Sequence, residues 1–505
     1  MKNKLFLAGL VCLMPFVQSC NKEDMSRPAE PGLVQIEPAE RSALQISFAK
    51  TLAKGLKNDP ALRAFLKTEG NKQFDKDYDI LYHMIKDQQV GGTQTFREKL
   101  LYYAESAEAF AAIENSLPLL TIFIPSLPDF STEKWNTDTE IPQVAVLQEG
   151  NNNVAVFDDE GRQTVLTPDQ IPAFPVLVIK QNERILVNNG TGSGKNSSGK
   201  KGAGTFHQNG RFSFSFADEA FNGISHLKED AAARTGINNA INIDTVNTLA
   251  YNSGSEWHRD YVYYGITPTN PRGTFNGRYS EFIRSFKFLT PDALNMISDQ
   301  TGDPSPRFTK NMSTSPSWTE GNFEFWITVL VNGKNGVGNE FTKVLSVRPQ
   351  DLFDLAYTRV FPYYRLSTIT PKEYRPEVEL VPWNLQAYSL GWKFIVYERD
   401  LTEEITQTYS HTSSFATNFE INGSIGDTQK VGAKLGFTQS TSNTVSYGVK
   451  TTLGSDFLGE TVLTFDQPVI TSASPVPGTP FVTFTTREIT TGNVLTMSIE
   501  PKRVY

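Results

Sequence analysis

The chain has 505 residues, 39% of them hydrophobic and 20% charged. That balance excludes a disordered chain, and the length calls for about two to four domains. A formal net charge of −8 argues against nucleic acid as a partner, since a binder must neutralise phosphates with clustered Lys and Arg.

At the N-terminus Lys2 and Lys4 precede an apolar run from Leu5 to Val17. The run is shorter than the roughly 20 apolar residues a membrane-spanning helix needs. Positive, then apolar, then small residues is the order of a cleavable signal peptide, here residues 1–19. The run closes on Val17-Gln18-Ser19-Cys20. A small residue just ahead of a cysteine resembles the lipobox of bacterial lipoproteins. The resemblance implies a diacylglycerol on the Cys20 thiol, cleavage before it and a further acyl chain such as palmitate on the new amino group. Each buried CH₂ adds about 0.8 kcal/mol, and one chain alone holds only marginally. Lys22, Glu23 and Asp24 follow and resemble the export signal of surface lipoproteins in the Bacteroidota. That implies a protein anchored in the outer membrane and facing the cell exterior.

Residues 20–35, with Pro28, Pro31 and Gly32, form a tether. Cleavage removes Cys12, two lysines and no acid, taking the net charge from −8 to −10 and leaving Cys20 as the one cysteine. The fold is then expected to rest on its core without disulfides.

Residues 36–188 are expected to form an α+β domain, helices first. Leu44, Phe48, Leu52 and Leu56 make one helical stripe. Asn58-Asp59-Pro60 ends that helix and starts another, with Asp59 as N-cap; Phe96, Leu100 and Tyr103 mark a third. Short β-prone runs follow at Leu119–Ile124, Val144–Leu147, Val154–Phe157, Val176–Ile179 and Arg184–Val187. Residues 189–204 are a flexible Gly/Ser/Lys linker. Residues 205–400 read as a mixed, aromatic-rich β domain, with short helices at Ala231–Ala240 and Pro291–Ile297. Its clearest strand carries Phe323, Phe325, Ile327, Val329 and Val331 in alternation, closed by an Asn332-Gly333 turn. Trp392, Phe394 and Val396 continue that style.

Residues 401–505 read as an antiparallel β domain, in sandwich strands or long amphipathic hairpins. Phe415, Phe419, Ile421 and Ile425 share one face, and Gly426-Asp427 supplies a turn. Val431, Leu435 and Phe437, then Val445, Tyr447 and Val449, alternate in the returning strands. One apolar face on strands of about ten residues suits a bilayer-crossing barrel or a half-buried sheet. The Ser/Thr-rich flanks Thr406–Ser414 and Thr438–Ser446 resemble in style the inserting hairpin of aerolysin-type pore-forming proteins, which implies several protomers each giving a hairpin to one barrel.

No motif carries a recognisable reaction. Gly194–Lys201 contains GxxxxGK but lacks the following Ser or Thr and a helix, so it belongs to the linker. His258-Arg259-Asp260 imitates a kinase loop without its metal-binding Asn. Asp75, Asp77 and Asp79 open like a calcium loop, but Ile80 replaces the needed Gly and Lys86 the needed Glu. A solvated charge cluster is the expectation there. Trp257, Tyr261, Tyr263, Tyr264, Trp318 and Trp326 could line a glycan platform, though core packing is the plainer use of large rings. No metal site, cofactor or catalytic residue is assigned. The leading reading is a non-enzymatic surface lipoprotein that binds a glycan or protein. The alternative is a hairpin-inserting, pore-forming protein, oligomeric only in that case; a glycan-degrading enzyme comes third.

Overall fold

The computed structural model describes residues 36–147, 153–189, 205–224, 243–254, 258–270, 273–298, 318–385, 387–399, 404–416, 424–425, 440–479 and 481–504. This fold is mostly β, with several antiparallel sheets and few helices.

Helix α1 (Pro38–Asn58) buries Phe48, Leu52 and Leu56, the stripe with four-residue spacing. Asp59 ends it and opens α2 (Pro60–Gly70) by accepting the Ala61 N–H, with Pro60 in the first turn, where no N–H is missed. Strand β1 (Asp79–Leu81) and the short helix α3 (Tyr82–Ile85) follow. Helix α4 (Phe96–Leu101) starts on a Thr95/Glu98 capping box, and α5 (Ala107–Ser116) on a Ser106 cap. Strands β2 (Leu120–Phe123), β3 (Gln143–Leu147), β4 (Val154–Phe157), β5 (Gln163–Leu166), β6 (Ile171–Pro172) and β7 (Val176–Gln181) come next. A six-stranded sheet runs β1-β2-β7-β3-β4-β5 and is antiparallel except at β3–β7. Helix α1 lies across β3, and β2 and β4 are buried at every position. That burial is why these segments read as apolar runs and not as alternation. Strands β8 (Ile185–Asn189), β9 (His207–Asn209) and β10 (Phe212–Phe216) form a small sheet whose core joins Phe212, Phe214 and Phe216 to Phe74 and Phe221. Asn189 ends β8, while the linker residues 190–204 and the expected Ala231–Ala240 helix lie outside the described residues.

The remaining strands are β11 (Gly273–Thr274), β12 (Tyr279–Phe288), β13 (Phe323–Gly333), β14 (Gly338–Val347), β15 (Phe353–Val360), β16 (Tyr363–Pro371), β17 (Val378–Glu379), β18 (Tyr388–Glu398), β19 (Glu404–Ala416), β20 (Ser424–Ile425), β21 (Ser440–Thr452), β22 (Asp456–Thr464), β23 (Ile470–Pro475), β24 (Val482–Thr486), β25 (Ile489–Thr491) and β26 (Leu495–Arg503). Two sheets face each other, β17-β12-β26-β25 and β14-β13-β18-β22. Their inner faces share one core, in which Ile283, Phe286 and Met497 meet Phe325, Val329, Trp392 and Phe394. The β15–β16 arm reaches away from this core: Tyr363 and Tyr364 pair with Pro172 and Ile171 of β6, and their rings join the N-terminal core.

One expected turn is instead strand. β13 continues through Asn332 and Gly333, and the chain reverses over residues 334–337. Asn332 is fully buried because its amide finds partners across a layer boundary. Among the described residues no helix is long and apolar enough to cross a membrane.

Candidate functional site

Strands β19 and β21 pair along 13 residues each, from Glu404 opposite Thr452 to Ala416 opposite Ser440, without a register shift. Alternation then assigns the faces. Phe415, Tyr447 and Val449 are buried and Val445 is half-buried, on the side that lies against β13 and β18. Thr406, Thr408, Ser410, Thr412, Ser442, Thr444, Ser446 and Lys450 are exposed on the other. In this structure the apolar face therefore rests on the protein's own sheet, against Leu330, Ile395 and Tyr397. Ile425 stands in β20, opposite Gly273 of β11. Phe419, Ile421, Val431, Leu435 and Phe437 lie outside the described residues, as do Cys20, Lys22, Glu23 and Asp24.

Buried hydrogen bonds also cross the boundary between hairpin and sheet. Asn332 Nδ2 donates to the His411 carbonyl at 2.9 Å and to Asn443 Oδ1 at 2.9 Å, and the Tyr447 hydroxyl donates to Asn332 Oδ1 at 2.6 Å. The Gly391 N–H donates to Ser413 Oγ at 3.1 Å, and His411 Nε2 lies 3.0 Å from the Gly391 carbonyl. Burial holds the His411 imidazole below its ordinary value, so the neutral ring donates there. The Tyr397 hydroxyl donates to Gln407 at 2.8 Å and meets the Tyr409 hydroxyl.

The expectation of a solvated acidic run is wrong. Asp75, Asp77 and Asp79 are at most 1% exposed. Left-handed Gln73 (φ 47) and Lys76 (φ 66) bend their loop inward. The three acids face Lys180, Asn182 and Arg184, which step by two along the end of β7 and beyond it. Asn182 Nδ2 donates to Asp75 at 2.8 Å, Lys180 Nζ lies 3.5 Å from Asp79, and Arg184 lies 3.3 Å from Asp77 and 2.6 Å from Glu324 on β13. Burial pushes the Asp75 carboxyl up to about 6 and that of Glu324 up to about 7, in each case against the Arg184 charge. Protein cations thus stand where a calcium loop would hold its ion. The signal available in sequence was the matching two-residue step of the acidic trio and the Lys180/Asn182/Arg184 trio. Beside the cluster, Asp77, Tyr78, Phe123, Trp318, Glu320 and Arg348 line a small cleft.

The other motifs are structural. His258 Nδ1 accepts the Val469 and Ile470 N–H groups. Arg259 grips Glu281 with two bonds, at 2.8 and 2.9 Å, and reaches the Ile499 carbonyl. Tyr263, Tyr264 and Trp318 are buried, and Trp326 carries the Arg399 guanidinium 3.6 Å from its ring centre. Trp257 and the Gly194–Lys201 segment lie outside the described residues.

Compared with protein-family models, curated proteins and solved structures, the chain finds no match in any of the three.

Proposed function

We propose that this is a non-enzymatic surface lipoprotein, tethered to the outer membrane by lipid on Cys20 and facing the cell exterior, that acts on a membrane by inserting the hairpin segment between β19 and β21. The observation that carries the reading is the unbroken register of that hairpin. Short sandwich strands would have favoured the binding role that composition put first. In the sequence between the two strands, Phe419, Ile421 and Ile425, and then Val431, Leu435 and Phe437, alternate with polar residues and glycine. Thr417–Ile425 and Val431–Gln439 have nine residues each, near the roughly 9–11 that cross a bilayer in a tilted strand. The opposite face, with Asn418, Glu420, Asn422, Ser424, Lys434 and Thr438, would line water when several protomers close a barrel. A tethered protein of this kind acts on neighbouring membranes or after release from its anchor.

Dye release from liposomes by the soluble mature chain tests the reading. Release together with a high-mass oligomer is expected, and both should vanish when residues 417–439 are replaced by a short Gly/Ser turn. A wild-type chain that stays monomeric and releases nothing overturns it. The tether has its own test: Cys20→Ala should move the protein to the soluble fraction, and persistence in the membrane fraction would refute it.

A second reading, binding of a glycan, is favoured by the cleft. Half-buried Tyr78 stands there with Glu320 and Arg348, polar groups suited to a sugar's hydroxyls, while the Phe123 and Trp318 rings are buried. A glycan array with no hit across host and plant polysaccharides would count against it.

A further inference from the structure

The hairpin meets the sheet beneath it through an apolar cluster of its own, Tyr447, Val449, Val445 and Tyr409 with Leu330, Ile395, Tyr397 and Trp326, smaller than the main core on the sheet's other face. This asymmetry matters because apolar burial commits a layer at about 25 cal/mol per Å². Hydrogen bonds exchange with water at a net of only about 0.5–1.5 kcal/mol each. The apolar cluster holds the layer down, and the buried hydrogen bonds fix where it sits.

The fastening is concentrated at one place. Asn332 is fully buried, and its amide touches both strands of the hairpin: the His411 carbonyl on β19, and Asn443 and Tyr447 on β21. Next to it across the sheet, Gly391 binds Ser413 and His411. Two glycines shape the seat. A Cβ on Gly338 would lie 2.4 Å from the Tyr447 ring, and one on Gly391 would lie 3.2 Å from Ser413 Oγ. His411, Ser413 and Asn443 sit toward the Ala416/Ser440 end of the hairpin, the end that runs into residues 417–439.

We propose that Asn332 and Gly391 form a latch that holds the hairpin in its docked register, and that undoing this latch is the step that frees the segment for insertion. The inference rests on the membrane reading for its purpose but not for its existence. A buried amide bonded to His411, Asn443 and Tyr447 specifies one register, because any slip strands it without hydrogen bonds. The same polar character lets water replace those bonds once the strands lift.

Two variants of the mature Cys20→Ala chain, which has no other cysteine, separate the latch from its use. Asn332→Ala should raise amide hydrogen exchange in 404–416 and 440–452 about tenfold or more, the loss of roughly 1.4 kcal/mol of local stability, with β12 and β26 unchanged, and should speed dye release. The pair Gly391→Cys and Ser413→Cys places a Cβ near a sulfur at close to the spacing across a disulfide. Oxidised, it should block release, and reduction should restore it. Unchanged exchange in Asn332→Ala overturns the latch whatever the vesicles do. Faster exchange with no release by any variant upholds the latch and refutes the membrane reading. Should Asn332→Ala fail to fold, equal release by the oxidised and reduced cysteine pair overturns the proposal.

Discussion

Asp260 is fully buried, and among the described residues neither carboxylate oxygen has a partner, because its neighbour Arg259 is turned away to Glu281. Burial alone holds its carboxyl well above the usual carboxylate range. The sign follows from linkage. A carboxyl raised in the folded state binds its proton more tightly there than when unfolded, so its contribution is fully present below about pH 4 and is lost as pH rises toward the folded value. Asp260→Asn should therefore match the wild type near pH 4 and become progressively more stable than it toward pH 7. Urea midpoints across that range measure the gap, and a gap that stays constant with pH would show that Asp260 carries its charge with some compensation.

At the scale of elements, two junctions fix how the N-terminal layers meet. Asp59 caps α2 and also lies 2.5 Å from Lys99 of α4, so one residue ends one helix through its backbone N–H, and its side chain starts the next and holds a third. Asp59→Ala should cost about 1 kcal/mol for the cap, with up to about 1 kcal/mol more for the ion pair, read as a lower urea midpoint at unchanged slope. The second junction is Gly321, immediately before β13. A Cβ there would fall 1.5 Å from Asp77 Oδ2, the atom that accepts the Asn322 N–H. Gly321→Ala should destabilise by about 1–3 kcal/mol through overpacking, whereas Gly161→Ala, in open space, should cost less even with its positive φ. Equal losses at the two glycines would mean that the Asp77 loop yields freely.

At the scale of the whole molecule, Arg184 joins regions far apart in sequence. It binds the Asp75 carbonyl and Asp77 in the N-terminal region and Glu324 on β13. Burying such charges costs several kcal/mol per ion, offset only while every partner stays in place. Arg184→Met should cost about 3–5 kcal/mol because two buried carboxylates lose their cation. The double variant with Glu324→Gln should lose less than the sum of the single losses, and additivity in that cycle would rule out direct coupling.

What the sequence by itself determined are features with a local period. The Phe48/Leu52/Leu56 stripe, the Asp59-Pro60 junction, the alternation of β13 and the two faces of the β19–β21 hairpin all follow from backbone geometry that repeats every 3.6 or 2 residues. What only the tertiary structure decided are the partners. Asp75 meets Asn182 across 107 residues, and Asn332 meets Asn443 across 111. An acidic run reads as solvated, and an Asn-Gly pair as a turn, until those distant groups arrive. The free energy of a buried polar group depends on whether its hydrogen bonds are met, and the fold settles that by bringing the two ends of each separation together.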